Sequence, residues 1–274
     1  MGWAALAVLG LAMLAFPAAV YLLQDGLIFH PQPLDEARRA GIAHRFPDVQ
    51  ELSIENEAGR LHAWHIPGDP LILYFGGNAE DVSWMIEEAK EKAPGVGWLL
   101  TSYRGYGASE GAPSEKALFA DALRWYDHVM KTLSPSRVIA FGRSLGSGAA
   151  VYLASQREVA SVILVSPYDS LAQVAKGYYP VLPVGLMLRH RFDSISRAPA
   201  IRAPLLCLVA THDEVISPAH SRRLFDAWRG PKQWVDIVGT GHNGMDGAEG
   251  FWQSIQRFLE ESRPEEERRQ PWTQ

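Results

Sequence analysis

An α/β protein with a mostly parallel, doubly wound sheet is what the sequence predicts, and three observations predict it. Short apolar runs alternate with helix-like stretches from residue 71 to residue 260. The apolar run Val138 to Phe141 ends in Gly142-Arg143-Ser144-Leu145-Gly146, a serine set between two glycines. Two later apolar runs end in Thr211-His212-Asp213-Glu214 and in Gly239-Thr240-Gly241-His242-Asn243. Strands that alternate with helices build parallel sheets, whose ligands lie outside the carboxyl ends of the strands. All three candidate reactive side chains follow such runs.

The elements follow in chain order. Gly2 to Leu23 is a stretch of 22 residues with no charged side chain, and about 20 apolar residues suffice for a helix to cross a bilayer of about 30 Å. Residues 1–24 are therefore predicted as a single-pass membrane anchor with Trp3 and Tyr21 as interfacial aromatics. A cleaved signal peptide is disfavoured, because no basic residues precede the run and the run is longer than a usual signal core. Arg38, Arg39 and Arg45 after the segment weakly favour a cytoplasmic catalytic domain. Gln50 to Ile54 and Leu61 to Ile66 alternate like antiparallel edge strands in a hairpin around Glu57 to Gly59. Buried strands follow at Leu71 to Phe75, Val96 to Thr101, Val138 to Phe141, Ser161 to Val165, Leu205 to Ala210 and Trp234 to Val238. Helices are predicted near Val82 to Lys92, Ser114 to Leu133, Ser147 to Ser155, Pro218 to Trp228 and Glu249 to Glu260. The catalytic domain is placed at 25–262 and a flexible tail at 263–274, charged through Glu265 to Arg269.

Composition bounds the function. The net charge of −5 offers no basic footprint, which argues against a nucleic-acid partner. The single cysteine, Cys207, lies inside an apolar run and reads as a core residue. No CxxC, metal-spaced ligand cluster or phosphate-binding glycine loop is visible, so the expectation is chemistry without a metal or cofactor.

The pentapeptide around Ser144 matches the Gly-x-Ser-x-Gly elbow in its strand-turn-helix setting, the motif of the α/β-hydrolase fold. A serine hydroxyl is a poor nucleophile alone and needs an imidazole as base, itself oriented by a carboxylate. The chain order Ser144, Asp213, His242 is the order this fold uses. Asp213 is favoured over Glu214 by its position at the strand end, and His212 lacks the Gly-x-Gly-His context. The developing oxyanion needs two donors. These are assigned to the backbone N–H of Leu145, which follows the nucleophile, and that of Asn78, in the loop Gly76-Gly77-Asn78 after an earlier strand. A helix cap is the plainer reading for the Asn78 side chain. The segment at about 168–203 interrupts the alternation and is predicted as a cap, with Leu182, Val184, Leu186 and Met187 lining an acyl pocket or packing the cap on the sheet. Arg189, His190, Arg191 and Asp193 read as a solvated or ion-paired face.

Several motifs together resemble one family. They are Phe29-His30-Pro31 after the apolar segment, Tyr74-Phe75-Gly76-Gly77-Asn78-Ala79-Glu80, the run Tyr103-Arg104-Gly105-Tyr106-Gly107 through Gly111, the elbow, and Tyr179-Pro180 through Arg191-Phe192-Asp193-Ser194. The chain is similar to the membrane-anchored α/β-hydrolases related to lysophospholipases and protein depalmitoylases over most of residues 25–260. The resemblance implies hydrolysis of carboxylic esters or thioesters of acyl-lipid-like substrates. Two departures stand out. Gly76 replaces the usual histidine, which bears on support of the oxyanion loop, and Ser102 replaces an aspartate, which bears on local hydrogen bonding. A serine peptidase of the same fold and a non-catalytic scaffold are the alternatives; the chain has no extra domain to gate peptides, and an intact Ser, His, Asp set argues against a scaffold.

Overall fold

A computed structural model describes residue 15 and residues 18–263. Eight strands form one sheet in the order β1-β2-β4-β3-β5-β6-β7-β8. β1 (Gln50–Asn56) and β2 (Gly59–Ile66) form the predicted antiparallel hairpin. β2 also runs antiparallel to β4 (Gly97–Thr101). β3 (Leu71–Phe75), β5 (Val138–Arg143), β6 (Ser161–Val165), β7 (Leu205–Ala210) and β8 (Lys232–Ile237) continue the sheet in parallel. Strands β3 to β7 are buried along their whole length apart from Arg143, which is why they read as continuous apolar runs rather than alternating ones.

Helices cover both faces. α4 (Glu115–Thr132), α5 (Leu145–Gln156) and α8 (Pro218–Ala227) pack into one core with Leu118, Trp125, Ala149, Leu153 and Leu224. α3 (Met85–Lys92) and α9 (Phe251–Glu261) close the other face, where Ile86, Phe251, Ile255 and Phe258 meet Trp98 and Phe141. The apolar positions of α9 recur at i, i+4, i+7 and i+8, a stripe on one side of a helix. Each such side chain, once buried, contributes about 1.5–3 kcal/mol.

Three helices were not legible in the sequence. α2 (Glu36–Arg45) starts at Asp35, whose carboxylate accepts from Ala37 N–H, yet it buries only Ile42. One apolar contact in ten residues leaves no periodicity to read. α6 (Leu171–Tyr178) and the single turn α7 (Val184–Met187) lie in the segment predicted as a cap. The predicted helix near Val82 begins as a 3-10 turn, Val82–Trp84, before α3.

Helix α1 spans residues 18–28 and so runs through the predicted boundary at residue 24. The predicted membrane anchor lies mostly in residues 1–17, of which all but residue 15 are outside the described residues. Among the described residues no helix is long and apolar enough to cross a membrane.

Candidate active site

The switch point of the sheet builds the site. β3 pairs with β4 on one side and β5 on the other, and Phe75 stands in register with Gly142. The loop after β3 therefore emerges beside the turn after β5. A Cβ placed on Gly77 would lie 3.8 Å from the Cβ of Ser144.

Two glycines make the elbow possible. A Cβ on Gly142 would come within 2.5 Å of the Gly146 carbonyl oxygen, and one on Gly146 would collide with the Phe75 carbonyl. Ser144 takes φ 49° and ψ −116° at the start of α5, a conformation that L-residues hold only when neighbours over-determine it. They do so here: Ser144 N–H donates to Val165 O at 2.9 Å, and the Ser147 N–H and hydroxyl both donate to Ser144 O, at 2.9 and 2.6 Å.

Ser144, His242 and Asp213 form one hydrogen-bonded chain. The Ser144 Oγ lies 2.9 Å from His242 Nε2, and His242 Nδ1 lies 2.9 Å from each oxygen of Asp213. The carboxylate is enclosed. It accepts from the Ser166 hydroxyl at 2.6 Å and from the N–H groups of Val215 and Ile216 at 3.0 and 2.7 Å. Burial pushes the Asp213 carboxyl up, but the bonds from His242, Ser166 and Ile216 outweigh it and hold it below the usual carboxylate range. An ionised carboxylate facing Nδ1 places the ring proton there and leaves Nε2 to accept from the hydroxyl. Glu214 does something else: its carboxylate receives the His242 backbone N–H at 3.3 Å while its side chain is exposed.

The Asn78 side chain does not cap a helix. Asp81 caps the 3-10 turn, accepting from Ser83 N–H at 3.0 Å. Asn78 instead clamps the chain that follows α1, with Nδ2 donating to Ile28 O at 2.6 Å and Oδ1 accepting from His30 N–H at 3.0 Å and the Tyr106 hydroxyl at 2.9 Å. Burial pushes the Tyr106 phenol up to about 12, so it stays a donor. The adjoining N–H of Gly77 goes to Glu80 Oε2 at 2.6 Å, whereas the N–H of Asn78 has no acceptor among the described residues. Leu145, the first residue of α5, likewise has no carbonyl one turn back in its helix.

Sequence reasoning missed several supports. Glu80 also accepts from the buried Tyr74 hydroxyl at 2.6 Å. Tyr103 donates to Gly76 O at 2.7 Å, so the Tyr-Arg-Gly-Tyr-Gly run braces the loop in which Gly76 replaces histidine. Ser102 keeps its local bonds through its backbone: its N–H donates to His62 O at 3.0 Å and its carbonyl accepts from Ser109 Oγ at 2.9 Å. Ser166, with φ 45°, sits at the end of β6 before Pro167; a strand-end serine beside the elbow strand was its only signal.

A cleft of about 460 Å³ opens at Ser144, lined mainly by polar residues including Gln32, Asn78, Glu80, Arg143, His242 and Asn243, with Trp84 and Val215 among the apolar ones. Leu182, Val184 and Met187, three of the four residues predicted for an acyl pocket, are not among the residues that line it. Leu182, Val184 and Met187 line a second cavity of about 590 Å³ between α1 and the segment 171–188; the Leu186 side chain is outside the described part. These three side chains line a cavity beside the cleft rather than the cleft itself, and α1, a partner that no local pattern announces, forms its other wall. Of the two readings given for Arg189 to Asp193, a solvated or an ion-paired face, Arg189 and His190 take the second, and His190 is buried. His190 accepts from Glu115 N–H at 3.2 Å and lies 2.7 Å from Asp25, which also binds Arg189.

A doubly wound sheet with a hydroxyl, an imidazole and a carboxylate gathered beyond its strand ends defines a hydrolase-type α/β protein. The chain belongs to the α/β-hydrolase family. Residues 70–193 match the family model described as α/β hydrolase fold. An uncharacterized protein of Mycobacterium tuberculosis is 36% identical over 227 residues, covering 79% of this chain and 81% of that one. An uncharacterized membrane protein of Saccharomyces cerevisiae is 30% identical over 213 residues, covering 73% and 75%. Among solved structures, an α/β hydrolase from Vibrio vulnificus superposes with a TM-score of 0.67 at 21% identity over 82% of this chain and 86% of that one. An esterase from Thermogutta terrifontis gives 0.60 at 18% identity over 78% and 100%. A membrane phospholipase A gives 0.63 at 16% identity over 93% and 98%. At these identities the structures speak for the fold alone.

Proposed function

We propose that the protein is a serine hydrolase that cleaves carboxylic ester or thioester bonds of acyl-lipid-like substrates. The observation that carries the reading is the Ser144–His242–Asp213 chain with 2.9 Å contacts at both links. Ser144 Oγ attacks the acyl carbonyl as His242 Nε2 takes its proton, and the N–H groups of Leu145 and Asn78 receive the oxyanion. The tetrahedral intermediate collapses to an acyl-enzyme, and His242 returns the proton to the departing alcohol or thiol. Water then attacks the acyl carbonyl, giving its proton to His242, and the free acid leaves as Ser144 regains its hydrogen. Asp213 holds the imidazole tautomer and offsets the imidazolium charge.

The lipid-like substrate is supported by the apolar cavity beside the cleft, by the uncharged run Gly2 to Leu23, and by a relative named as a membrane protein. In this reading residues 1–24 tether the protein as a single-pass anchor, 25–262 form the catalytic domain with a cap at about 168–203, and 263–274 form a tail. The test is labelling with a fluorophosphonate probe alongside turnover of p-nitrophenyl esters. Wild type should label at Ser144, and Ser144→Ala should lose both label and turnover. A label that survives this substitution would sink the assignment in favour of a non-catalytic scaffold.

A further inference from the structure

Seven of the eleven large apolar side chains that are exposed among the described residues sit on two facing segments. Leu22, Leu23 and Leu27 lie on α1 with Tyr21, and Tyr178, Tyr179 and Val181 lie on the segment opposite. Leu27, Tyr178 and Tyr179 are exposed by 63, 58 and 59% and also line the 590 Å³ cavity, so they form its mouth, while Val184 and Met187 are buried inside. Along α1 the cavity is lined by positions 20, 24, 27 and 28, one helical stripe, and Leu23 lies one turn before Leu27 on the same side.

The two segments are locked together. Gln24, 1% exposed, accepts from Arg189 N–H at 2.7 Å and donates to Met187 O at 3.3 Å. Asp25 accepts from the Arg189 guanidinium at 2.7 Å and contacts His190 at 2.7 Å. The apolar mouth is therefore part of a fixed surface. The uncharged run that begins at Gly2 ends at Leu23, and the next two residues are the ones that grip the facing segment. No linker separates that run from the cavity. The cavity also borders the cleft at two points: Asn78, in the cleft, donates to Ile28 O, and the Tyr178 hydroxyl donates to Val215 O at 3.0 Å.

We propose that α1 and the segment 178–191 form one bilayer-docking face, and that the cavity between them receives the acyl chain of a substrate still embedded in the bilayer; only the second half rests on the hydrolase reading above. An apolar surface this concentrated marks a contact site, tyrosines at its rim suit the headgroup level, and the cavity volume falls in the range of ligand sites. Lipid is the occupant favoured, because the uncharged run leads directly into the face. A tail drawn into the cavity leaves the carboxyl carbon near the border shared with the cleft.

The test uses the full chain in phosphatidylcholine vesicles. Val181→Cys carries an environment-sensitive fluorophore, with Met130→Cys at the end of α4, toward the opposite end of the sheet, as control; Cys207 is buried and stays unlabelled. Spin-labelled lipid should quench position 181 several-fold more than position 130. Equal quenching overturns docking, and so does a blue-shifted position 181 that lipid does not quench, because residues 1–17 or a second copy would then cover the face. Val181→Asp should slow hydrolysis of lysophosphatidylcholine in the vesicles about tenfold and leave p-nitrophenyl acetate turnover unchanged. Equal effects on the two substrates, or none, overturn the entry route. If wild type turns over neither substrate while position 181 is quenched, the hydrolase reading has failed and the docking face stands.

Discussion

The cleft at Ser144 and the cavity between α1 and residues 171–188 are neighbours of similar size built in opposite ways. The cleft is polar, and its key groups sit on strand-end loops held by several hydrogen bonds each. The cavity is apolar, and it is walled by short helices that meet through side-chain packing and one polar clamp. Directional bonds hold a proton relay within a few tenths of an ångström, which chemistry at a carbonyl requires. Apolar packing sets volume without direction, which suffices for a flexible chain. Geometry is concentrated in one region and tolerance in the other.

That contrast is broken most directly in the cleft. His242→Ala and Asp213→Asn should each lower kcat on p-nitrophenyl butyrate by about 10⁴-fold with little change in KM, as loss of such groups does elsewhere. Glu214→Gln should stay within a few-fold of wild type, because that carboxylate meets only a backbone N–H of His242. A crippled Glu214→Gln beside an active Asp213→Asn would reverse the two roles.

A smaller effect is expected one shell out. Ser166→Ala removes a bond to a charged group, worth about 1.5–3 kcal/mol, so kcat should fall about 10- to 100-fold if Asp213 loses its orientation. The same change has a pH signature. The Asp213 carboxyl is held below its ordinary value in the folded state, so its contribution to stability is present above the unfolded pKa and is lost as pH falls through the folded one. Ser166→Ala lets the folded value rise. Between about pH 6 and pH 3, Tm should therefore drop less steeply in the variant than in wild type. Parallel Tm curves would mean that Ser166 does not tune this carboxylate.

The smallest effect belongs to the cavity. Met187→Trp fills space there, and each methylene kept out of an apolar site forfeits up to ~0.8 kcal/mol. The ratio of kcat/KM for octanoyl over acetyl esters should fall by up to about fourfold per excluded carbon. An unchanged ratio would separate the cavity from the substrate and leave the cleft alone to explain specificity.

The sheet was legible because buried strands must be apolar and continuous, and the elbow because its Gly-x-Ser-x-Gly pattern is local, although only Gly142 is demanded by contacts within the turn; Gly146 is demanded by the carbonyls of Phe75 and Gly76 at the end of β3. The hairpin from Gln50 to Ile66 was legible locally through its turn at Glu57 to Gly59, but only β1 is the edge strand that was expected; β2 lies between β1 and β4 and is buried from Leu61 to Ile66. α2 was not, since only Ile42 is buried, and neither was the role of Asn78, whose side chain reads as a cap until the distant Ile28 and His30 are beside it.

What the sequence by itself determined is the succession of the eight strands with helices α3, α4, α5, α8 and α9 between and after them, and the strand-end positions of Ser144, Asp213 and His242. These follow from backbone sterics, periodic burial and turn chemistry, which act over a few residues. Only the tertiary structure decided that Ser166 would support Asp213 from 47 residues away, that Glu80 and Tyr103 would brace the loop before Asn78, and that Leu182, Val184 and Met187 would face α1 rather than the serine. Each of those contacts depends on which elements the topology makes neighbours, and no local pattern of apolar and polar residues carries that information.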